Sequence, residues 1–183
     1  MELIATKLKD CFILKPNVFT DARGYFFESY SKRSFQEISG LDIEFIQDNQ
    51  ALSGYGTLRG LHFQKGDAAQ AKLVRVMQGR VVDVAVDLRK GSDTFGLHVA
   101  VELSAENNLQ LFVPRGFAHG YSVLEPDTIF VYKCDNWYNK GAEGGLIYND
   151  PQLKIDWRLP TKDMLLSEKD TRWPTIKNLG DIG

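Results

Sequence analysis

The order of apolar and polar residues predicts β-strands along most of the chain. The clearest predicted strands cover residues 71–77, 80–88, 98–103, 110–113 and 128–134. They recur at roughly the 8–12 residue spacing typical of a sandwich or barrel. Helices are predicted over residues 31–38, which Gly40 ends, and over residues 160–170. We therefore expect an all-β protein, a jelly roll or related double sheet with short peripheral helices.

Composition and charge narrow the class of protein. With 183 residues, 43% of them hydrophobic and 25% charged, the chain is long enough to bury a core and fits a single domain over residues 1–183. A net charge of −2 gives no electrostatic case for a nucleic acid or an anionic membrane as partner. Two cysteines are too few for a disulfide framework, and no apolar run reaches the ~18 residues of a membrane helix. We predict a soluble, cytoplasmic protein.

The segment over residues 58–64 alternates as a strand and carries a histidine near its middle. Strict alternation places His62 on one face of the strand with Gly60, and places Arg59 on the opposite face. A histidine in a strand is either a hydrogen-bonded core residue or a working group, and this segment alone leaves both open. Gly60 permits a bulge or twist that would bring Arg59 and His62 to the same face.

A second histidine, His119, lies in a motif that indicates what kind of site His62 belongs to. Residues 114–119 read Pro-Arg-Gly-Phe-Ala-His, and the spacing around His62 and His119 resembles the two histidine blocks of cupins. In the metal-binding pattern a second histidine and a glutamate stand where this chain has Gln64 and Lys72. Because a lysine ammonium has no free lone pair and repels a divalent cation, we expect the cleft without a metal. The prediction is a cupin-type double-stranded β-helix with no cofactor.

Three ionisable residues allow either a structural or a catalytic interpretation. Lys72 shares a strand face with apolar residues, so its ammonium either reaches water from the strand end or faces a developing negative charge such as an enolate oxygen. Tyr132 either packs its ring in the core or acts as an acid opposite a histidine. Asp170 either caps a short helix or orients the His62 imidazole, and Asp83 is an alternative partner for that histidine.

Several blocks, in order along the chain, resemble the dTDP-4-dehydrorhamnose 3,5-epimerase family. These blocks are residues 47–49 (QDN), 57–64 (TLRGLHFQ), 71–73 (AKL), 82–89 (VDVAVDLR), 112–120 (FVPRGFAHG), 132–135 (YKCD), 149–151 (NDP), 155–157 (IDW) and 166–170 (LSEKD). The likeness extends from about Arg23 to Asp170. It implies a metal-free cupin jelly roll, usually a homodimer. The implied reaction inverts C3 and C5 of dTDP-4-dehydro-6-deoxy-D-glucose to give dTDP-4-dehydro-L-rhamnose.

The resemblance also implies roles for individual residues. His62 would be the general base, with Asp170 orienting it. Tyr132 would be the acid on the opposite face of the sugar, and Lys72 would hold the C4 enolate oxygen. The residues implied to contact the dTDP-sugar substrate are Arg23, Glu28, Gln47, Asn49, Arg59, His119, Tyr138, Glu143 and Lys169. Of these, Tyr138 would stack on the thymine ring, and the N-terminal strands that carry Arg23 and Glu28 would complete the site of a neighbouring subunit.

Other functions fit parts of the same sequence. Relatives on this scaffold epimerise only C3 or only C5, or move a keto group between C3 and C4, and the acid tyrosine is where they tend to differ. The presence of Tyr132 favours the double epimerase. A metal-dependent cupin oxygenase would use His62 and His119 as ligands, against which Lys72 argues. A non-catalytic carbohydrate-binding jelly roll leaves His62, Lys72 and Tyr132 without a role.

Overall fold

The structure, a computed structural model, describes residues 1–182, so that Gly183 of the predicted domain lies outside the described residues. The described part contains one α-helix, α1 (Lys32–Ser39). Its strands are β1 (Glu2–Ala5), β2 (Phe12–Lys15), β3 (Phe19–Asp21), β4 (Gly24–Phe26), β5 (Gln47–Ser53), β6 (Leu58–Gln64), β7 (Lys72–Gln78), β8 (Arg80–Asp87), β9 (His98–Ser104), β10 (Gln110–Val113), β11 (Phe117–Val123), β12 (Thr128–Cys134) and β13 (Glu143–Gly145). Nowhere in residues 1–182 is a helix long and apolar enough to cross a membrane.

Most of the strands form two antiparallel sheets that face each other. The six-stranded sheet has the order β1-β2-β10-β7-β12-β5, and the five-stranded sheet has the order β13-β6-β11-β8-β9. Between them lies an apolar core to which the six-stranded sheet contributes Val74 and Phe130, and the five-stranded sheet contributes Ala85 and Tyr121. This arrangement confirms the predicted all-β jelly roll. Strands β3 and β4 pair only with each other, as a separate hairpin.

The outer faces of both sheets are partly covered. Helix α1 packs Phe35 against Phe12 and Phe112 of the six-stranded sheet. On the five-stranded sheet, Trp157 and Leu153 from the C-terminal part of the chain cover apolar residues of β6, β8 and β11. The C-terminal segment is therefore held against the sheet that carries His62.

The predicted elements agree with the structure where local sequence signals are strong. The strands predicted over residues 110–113 and 128–134 have those bounds, and the one predicted over 71–77 is shifted by a single residue. The helix predicted over 31–38 is α1, because the Ser31 side chain accepts a hydrogen bond from the Ser34 amide and Gly40 ends the helix at φ +70°. Strand β11 was not predicted, because it is buried on both faces and shows no alternation.

The prediction of a helix over residues 160–170 is wrong. This segment contains only two short 3₁₀ turns, Thr161–Asp163 and part of Lys169–Thr171. Between them the chain runs extended, and Leu165 exchanges backbone hydrogen bonds with Gly56 and Leu58 at the start of β6. Tertiary pairing with β6 overrides the local helical pattern.

The side chains of β6 do not alternate strictly between the two faces of the sheet. The strand contains a bulge at Gly60, which the sequence analysis had left open. His62 pairs with His119 and Arg59 pairs with Tyr121, so three steps along β6 match two steps along β11. This one-residue bulge turns Leu58, Leu61 and Phe63 toward the outer apolar cluster and turns Arg59 and His62 toward the interior cavity. At Gly60 φ is +116°, and a Cβ there would lie 2.6 Å from Gly120 Cα.

Gly60→Ala is expected to lower the free energy of unfolding by about 3 kcal/mol, because the new methyl group meets backbone atoms and the residue has a positive φ. Urea unfolding of the wild type and the variant measures this loss. The control is Gly66→Ala, whose φ is also positive but whose Cβ would meet no atom within 4 Å. Equal stability losses in the two variants would show that crowding at the bulge is unimportant.

Candidate active site

A cavity of about 580 Å³ lies between the two sheets. Strands β6 and β11 form one wall, strands β5, β7 and β12 form the facing wall, and the segment around residue 167 closes one side. The lining residues that carry polar or ionisable groups are Thr57, Arg59, His62, Lys72, His119, Tyr121, Tyr132, Ser167, Lys169 and Asp170. All four residues proposed from the sequence for catalysis thus come together here, from positions spread over more than 100 residues.

His62 and Asp170 form the first ionisable pair of the cavity. His62 Nε2 lies 2.5 Å from Asp170 Oδ1, and the Ser167 hydroxyl donates to Asp170 Oδ2 at 2.9 Å. Burial by itself raises the pKa of the Asp170 carboxyl, but the hydrogen bond and charge of His62 together with Ser167 outweigh it and lower that pKa. Whenever the imidazole is neutral, its hydrogen bond to an ionised Asp170 requires the proton on Nε2 and leaves Nδ1 as the acceptor.

His119 and Asp83 form a second pair next to the first. His119 Nε2 lies 3.0 Å from both carboxylate oxygens of Asp83, which is 0% exposed. Because His119 is the cross-strand partner of His62, the two imidazoles lie side by side on the same wall. Of the two carboxylates considered for His62, Asp170 is therefore the one that contacts it, and Asp83 is bonded to the other histidine.

Lys72 and Tyr132 lie on the facing wall, in the six-stranded sheet. The Lys72 ammonium is 5.8 Å from the centre of the Tyr132 ring, and burial lowers the pKa of the lysine. Burial also raises the pKa of the Tyr132 phenol to about 12, so the phenol keeps its proton at neutral pH. A hydrogen-bonded histidine on one wall and a phenol with an ammonium on the other can act on opposite faces of one bound ring.

Arg59 shares the interior with His62 because of the β6 bulge. Its guanidinium donates to the Ser53 hydroxyl at 3.2 and 3.3 Å. Behind it, Tyr121 stacks on Phe130 with ring centres 4.0 Å apart. Sequence reasoning missed Ser53, Tyr121 and Phe130 as parts of this site. Tyr121 follows directly on the motif that contains His119, which was the available signal.

Five of the predicted substrate-contacting residues are linked by hydrogen bonds, as two pairs with Tyr138 between them, and Lys169 of one pair lines the cavity. Gln47 donates to Asn49 at 3.0 Å and accepts from the Tyr138 amide at 3.4 Å. Glu143 accepts from Lys169 at 2.6 Å and from the Tyr138 hydroxyl at 3.4 Å. Tyr138 thus joins the two pairs, and its ring is about half exposed to solvent.

Arg23 and Glu28 are not brought to this cavity within the chain. Arg23 belongs to the exposed β3–β4 hairpin, where its guanidinium pairs with Asp21. Glu28 accepts from the Ser34 hydroxyl at the start of α1. Gln64, which stands in a metal-ligand place of the cupin pattern, lies outside the cavity lining and accepts from the Asn139 amide at 2.8 Å.

The donor atoms in the cavity do not form a cation site. Within residues 1–182, no three or more His, Cys, Asp or Glu side chains are grouped so that they could hold a metal ion. The imidazoles of His62 and His119 are each engaged with a carboxylate, and the third ionisable side chain of the cupin-like sequence pattern, Lys72, is a cation. This set suits the transfer of protons better than metal coordination.

Comparison with known proteins identifies the family. Residues 5–178 match the profile of dTDP-4-dehydrorhamnose 3,5-epimerase. The protein of that name from Shigella flexneri is 49% identical over 170 residues, 93% of each chain. The crystal structure of dTDP-4-dehydrorhamnose 3,5-epimerase from Elizabethkingia anophelis NUHP1 is 57% identical, with a TM-score of 0.94 over 97% of each chain.

A third relative is known with a ligand. The dTDP-6-deoxy-D-glucose-3,5-epimerase from Legionella pneumophila Philadelphia 1, in complex with dTDP-4-keto-L-rhamnose, is 42% identical to this chain. It has a TM-score of 0.94 and covers 98% of this chain and 94% of its own. The family profile and the similar proteins thus agree with one another, and the chain belongs to the dTDP-4-dehydrorhamnose 3,5-epimerase family of isomerases.

Proposed function

We propose that His62, Lys72 and Tyr132 carry out the epimerisation performed by this family, the inversion of C3 and C5 in dTDP-4-dehydro-6-deoxy-D-glucose. The observation that carries the proposal is the placement of these three groups on facing walls of one cavity. His62 stands on β6, whereas Lys72 and Tyr132 stand on β7 and β12 of the other sheet. A sugar ring between the sheets would present opposite faces to the base and to the acid.

Each group has chemistry suited to its step. His62, held by Asp170, takes a proton from a carbon next to the C4 ketone, and the electron pair moves onto the ketone oxygen. The Lys72 ammonium stabilises this enolate oxygen, and an ammonium counts for more in a water-poor cavity than in bulk solvent. Tyr132 then returns a proton to the carbon from the other face. Because C3 and C5 both flank C4, one set of groups can serve both centres.

A metal ion is not needed for this chemistry. Lys72 supplies a positive charge for the enolate oxygen, which is the task that a Lewis-acidic metal performs in other sites. Burial lowers the pKa of this lysine, whereas a negative oxygen next to the ammonium favours its charged form. We therefore propose a reaction without cofactor.

The residues next to the cavity are proposed to hold the nucleotide. The Legionella relative was crystallised with a dTDP-linked sugar, which supports a dTDP-sugar as the substrate. The exposed ring of Tyr138 offers a stacking surface for thymine, and we propose that Gln47, Asn49 and Lys169, which are linked to Tyr138 by hydrogen bonds directly or through one residue, contact the nucleotide. A cytoplasmic location remains a prediction based on the two free cysteines, which are both buried.

A homodimer is proposed as the working unit. The β3–β4 hairpin pairs with no other strand of its own chain and exposes Phe19 and Phe26 to 65% and 71%. Leu52 and Met77, on the outer face of the six-stranded sheet, are also exposed. Apolar surface of this kind marks an interface between proteins. A second copy covering it would allow Arg23 on the hairpin to reach the cavity of the partner.

Proton NMR of dTDP-4-dehydro-6-deoxy-D-glucose in D2O is expected to show deuterium entering at both C3 and C5 when the protein is added. In His62→Ala this exchange should stop at both centres while dTDP still binds, because the base is lost and the nucleotide contacts remain. Isothermal titration with dTDP measures the binding. Exchange at one centre alone would indicate a mono-epimerase, and undiminished exchange in His62→Ala would remove His62 from the role of base.

Tyr132→Phe is expected to keep proton abstraction and to lower the yield of inverted product by roughly 100-fold, the scale of a lost general acid. The phenyl ring fills nearly the same space, so only the hydroxyl is missing. The ratio of deuterium exchange to product inversion, followed in one NMR time course, measures the effect. Unchanged turnover would mean that another group supplies the proton.

Mixing two inactive variants is expected to restore activity if hairpins are exchanged between subunits. In a dimer of Arg23→Gln with His62→Ala, one of the two sites combines an intact His62 with an intact Arg23 from the partner. Random mixing after co-expression then gives about a quarter of the wild-type rate. Absence of any recovery, with dimers present in sedimentation velocity, would place Arg23 and His62 of one chain in the same site.

A further inference from the structure

Trp173 packs behind the His62–Asp170 pair. It follows Asp170 by three residues, and the Ile147 amide donates to the Pro174 carbonyl at 3.0 Å, which fixes the segment beside β13. The indole and the His62 imidazole have ring centres 6.3 Å apart and planes inclined at 71°. Trp173 is absent from the cavity lining, so it touches the imidazole from the side away from the proposed substrate.

The indole occupies space that is free because Gly145 has no side chain. Gly145 is the cross-strand partner of His62 in the β13–β6 pairing. A Cβ at this position would lie 2.5–2.6 Å from three atoms of the indole, closer than any side chain tolerates. The ring therefore rests directly on the backbone that pairs with His62, and it cannot shift toward β13.

The indole N–H is available to Asp170. Trp173 Nε1 is buried and has no hydrogen-bond partner within normal distance and angle limits among the described residues. Asp170 uses Oδ1 for His62 and Oδ2 for Ser167, which leaves lone pairs on both oxygens. Burial raises the pKa of the Asp170 carboxyl. His62, Ser167 and the Trp173 N–H nearby lower it, and together they outweigh burial. Buried indole N–H groups normally find an acceptor, and Asp170 is the carboxylate bonded to the imidazole against which this indole packs.

We propose that Trp173 is a positioning residue, whose indole supports one side of the His62 imidazole and whose N–H donates to the Asp170 carboxylate in the working enzyme. With His62, Ser167 and Trp173 as donors, the carboxylate is fixed from three directions. The imidazole then has little freedom to tilt while it takes and releases a proton. This inference rests on the proposed role of His62 as the base.

An NMR measurement tests the N–H contact without any reference to activity. The chain has three tryptophans, so a ¹H–¹⁵N spectrum contains three indole signals, assigned by single Trp→Phe variants. In Asp170→Asn the Trp173 signal is expected to move upfield, because a charge-assisted bond becomes a neutral one. The Trp157 signal should stay, since its N–H donates to the Tyr148 carbonyl at 2.9 Å. An unmoved Trp173 signal would overturn the proposed contact.

Kinetics test the positioning role. Trp173→Phe is expected to lower kcat for deuterium exchange by roughly 10-fold with KM and the dTDP affinity unchanged, because only the geometry of the base is disturbed. Trp157→Phe is the matched control, a buried tryptophan in the apolar cluster outside the cavity. An unchanged kcat in Trp173→Phe, or an equal loss in both variants, would overturn the role.

A second variant tests the same role if Trp173→Phe does not fold. If Trp173→Phe does not fold, Gly145→Ala, which presses on the indole from β13, should lower kcat in the same way. A wild-type protein that exchanges no α-proton at all would refute the proposed function, and the indole signal in Asp170→Asn would still decide whether Trp173 contacts the carboxylate. The two failures are therefore distinguishable.

Discussion

The close backbone contact between β6 and β11 is the constraint on which the site depends. Gly60 and Gly120 meet where neither has space for a side chain, and the bulge that results brings Arg59 and His62 to the same side of the sheet. Without the bulge, alternation would place one of these side chains in the outer apolar cluster. The arrangement of the proposed catalytic groups is thus set first by backbone packing and only then by side-chain chemistry.

The ionisable groups around the cavity differ in whether they have a hydrogen-bond partner. Lys72 is half-buried in the six-stranded sheet, and the carboxylates of Asp83 and Asp170 are buried in or near the opposite wall. Each carboxylate is hydrogen bonded to a histidine, so neither is left without a partner. The Lys72 ammonium has no such bonded partner among the contacts of the described residues. This imbalance suits a cavity whose substrate acquires a negative oxygen.

The C-terminal segment completes the site from outside the double sheet. Leu165 pairs with the start of β6, and this pairing brings Ser167, Lys169 and Asp170 to the open side of the cavity. This segment runs extended along β6, which is why the helix expected from the sequence is not found there. A regular helix over residues 160–170 could not follow the β6 edge and also present Asp170 to His62.

The sequence by itself determined the fold class, the family and most of the residues of the site. Alternating apolar residues and turn signals are local properties, so strands such as 128–134 and the helix capped by Ser31 could be predicted. The histidine blocks with Lys72 in place of an acidic ligand predict a cleft without a metal. The fold class needs only residue types and spacing, whereas the family and the roles of the site residues came from the resemblance of the sequence blocks to a known family.

The tertiary structure alone decided which groups meet. Sequence reasoning favoured Asp170 as the partner of His62 and left Asp83 open as an alternative, and the choice came from a contact across 108 residues. The β6 bulge came from packing against Gly120, and the place of Trp173 came from the space above Gly145. Such contacts join segments that are distant along the chain, and neither periodicity nor composition encodes distances between them.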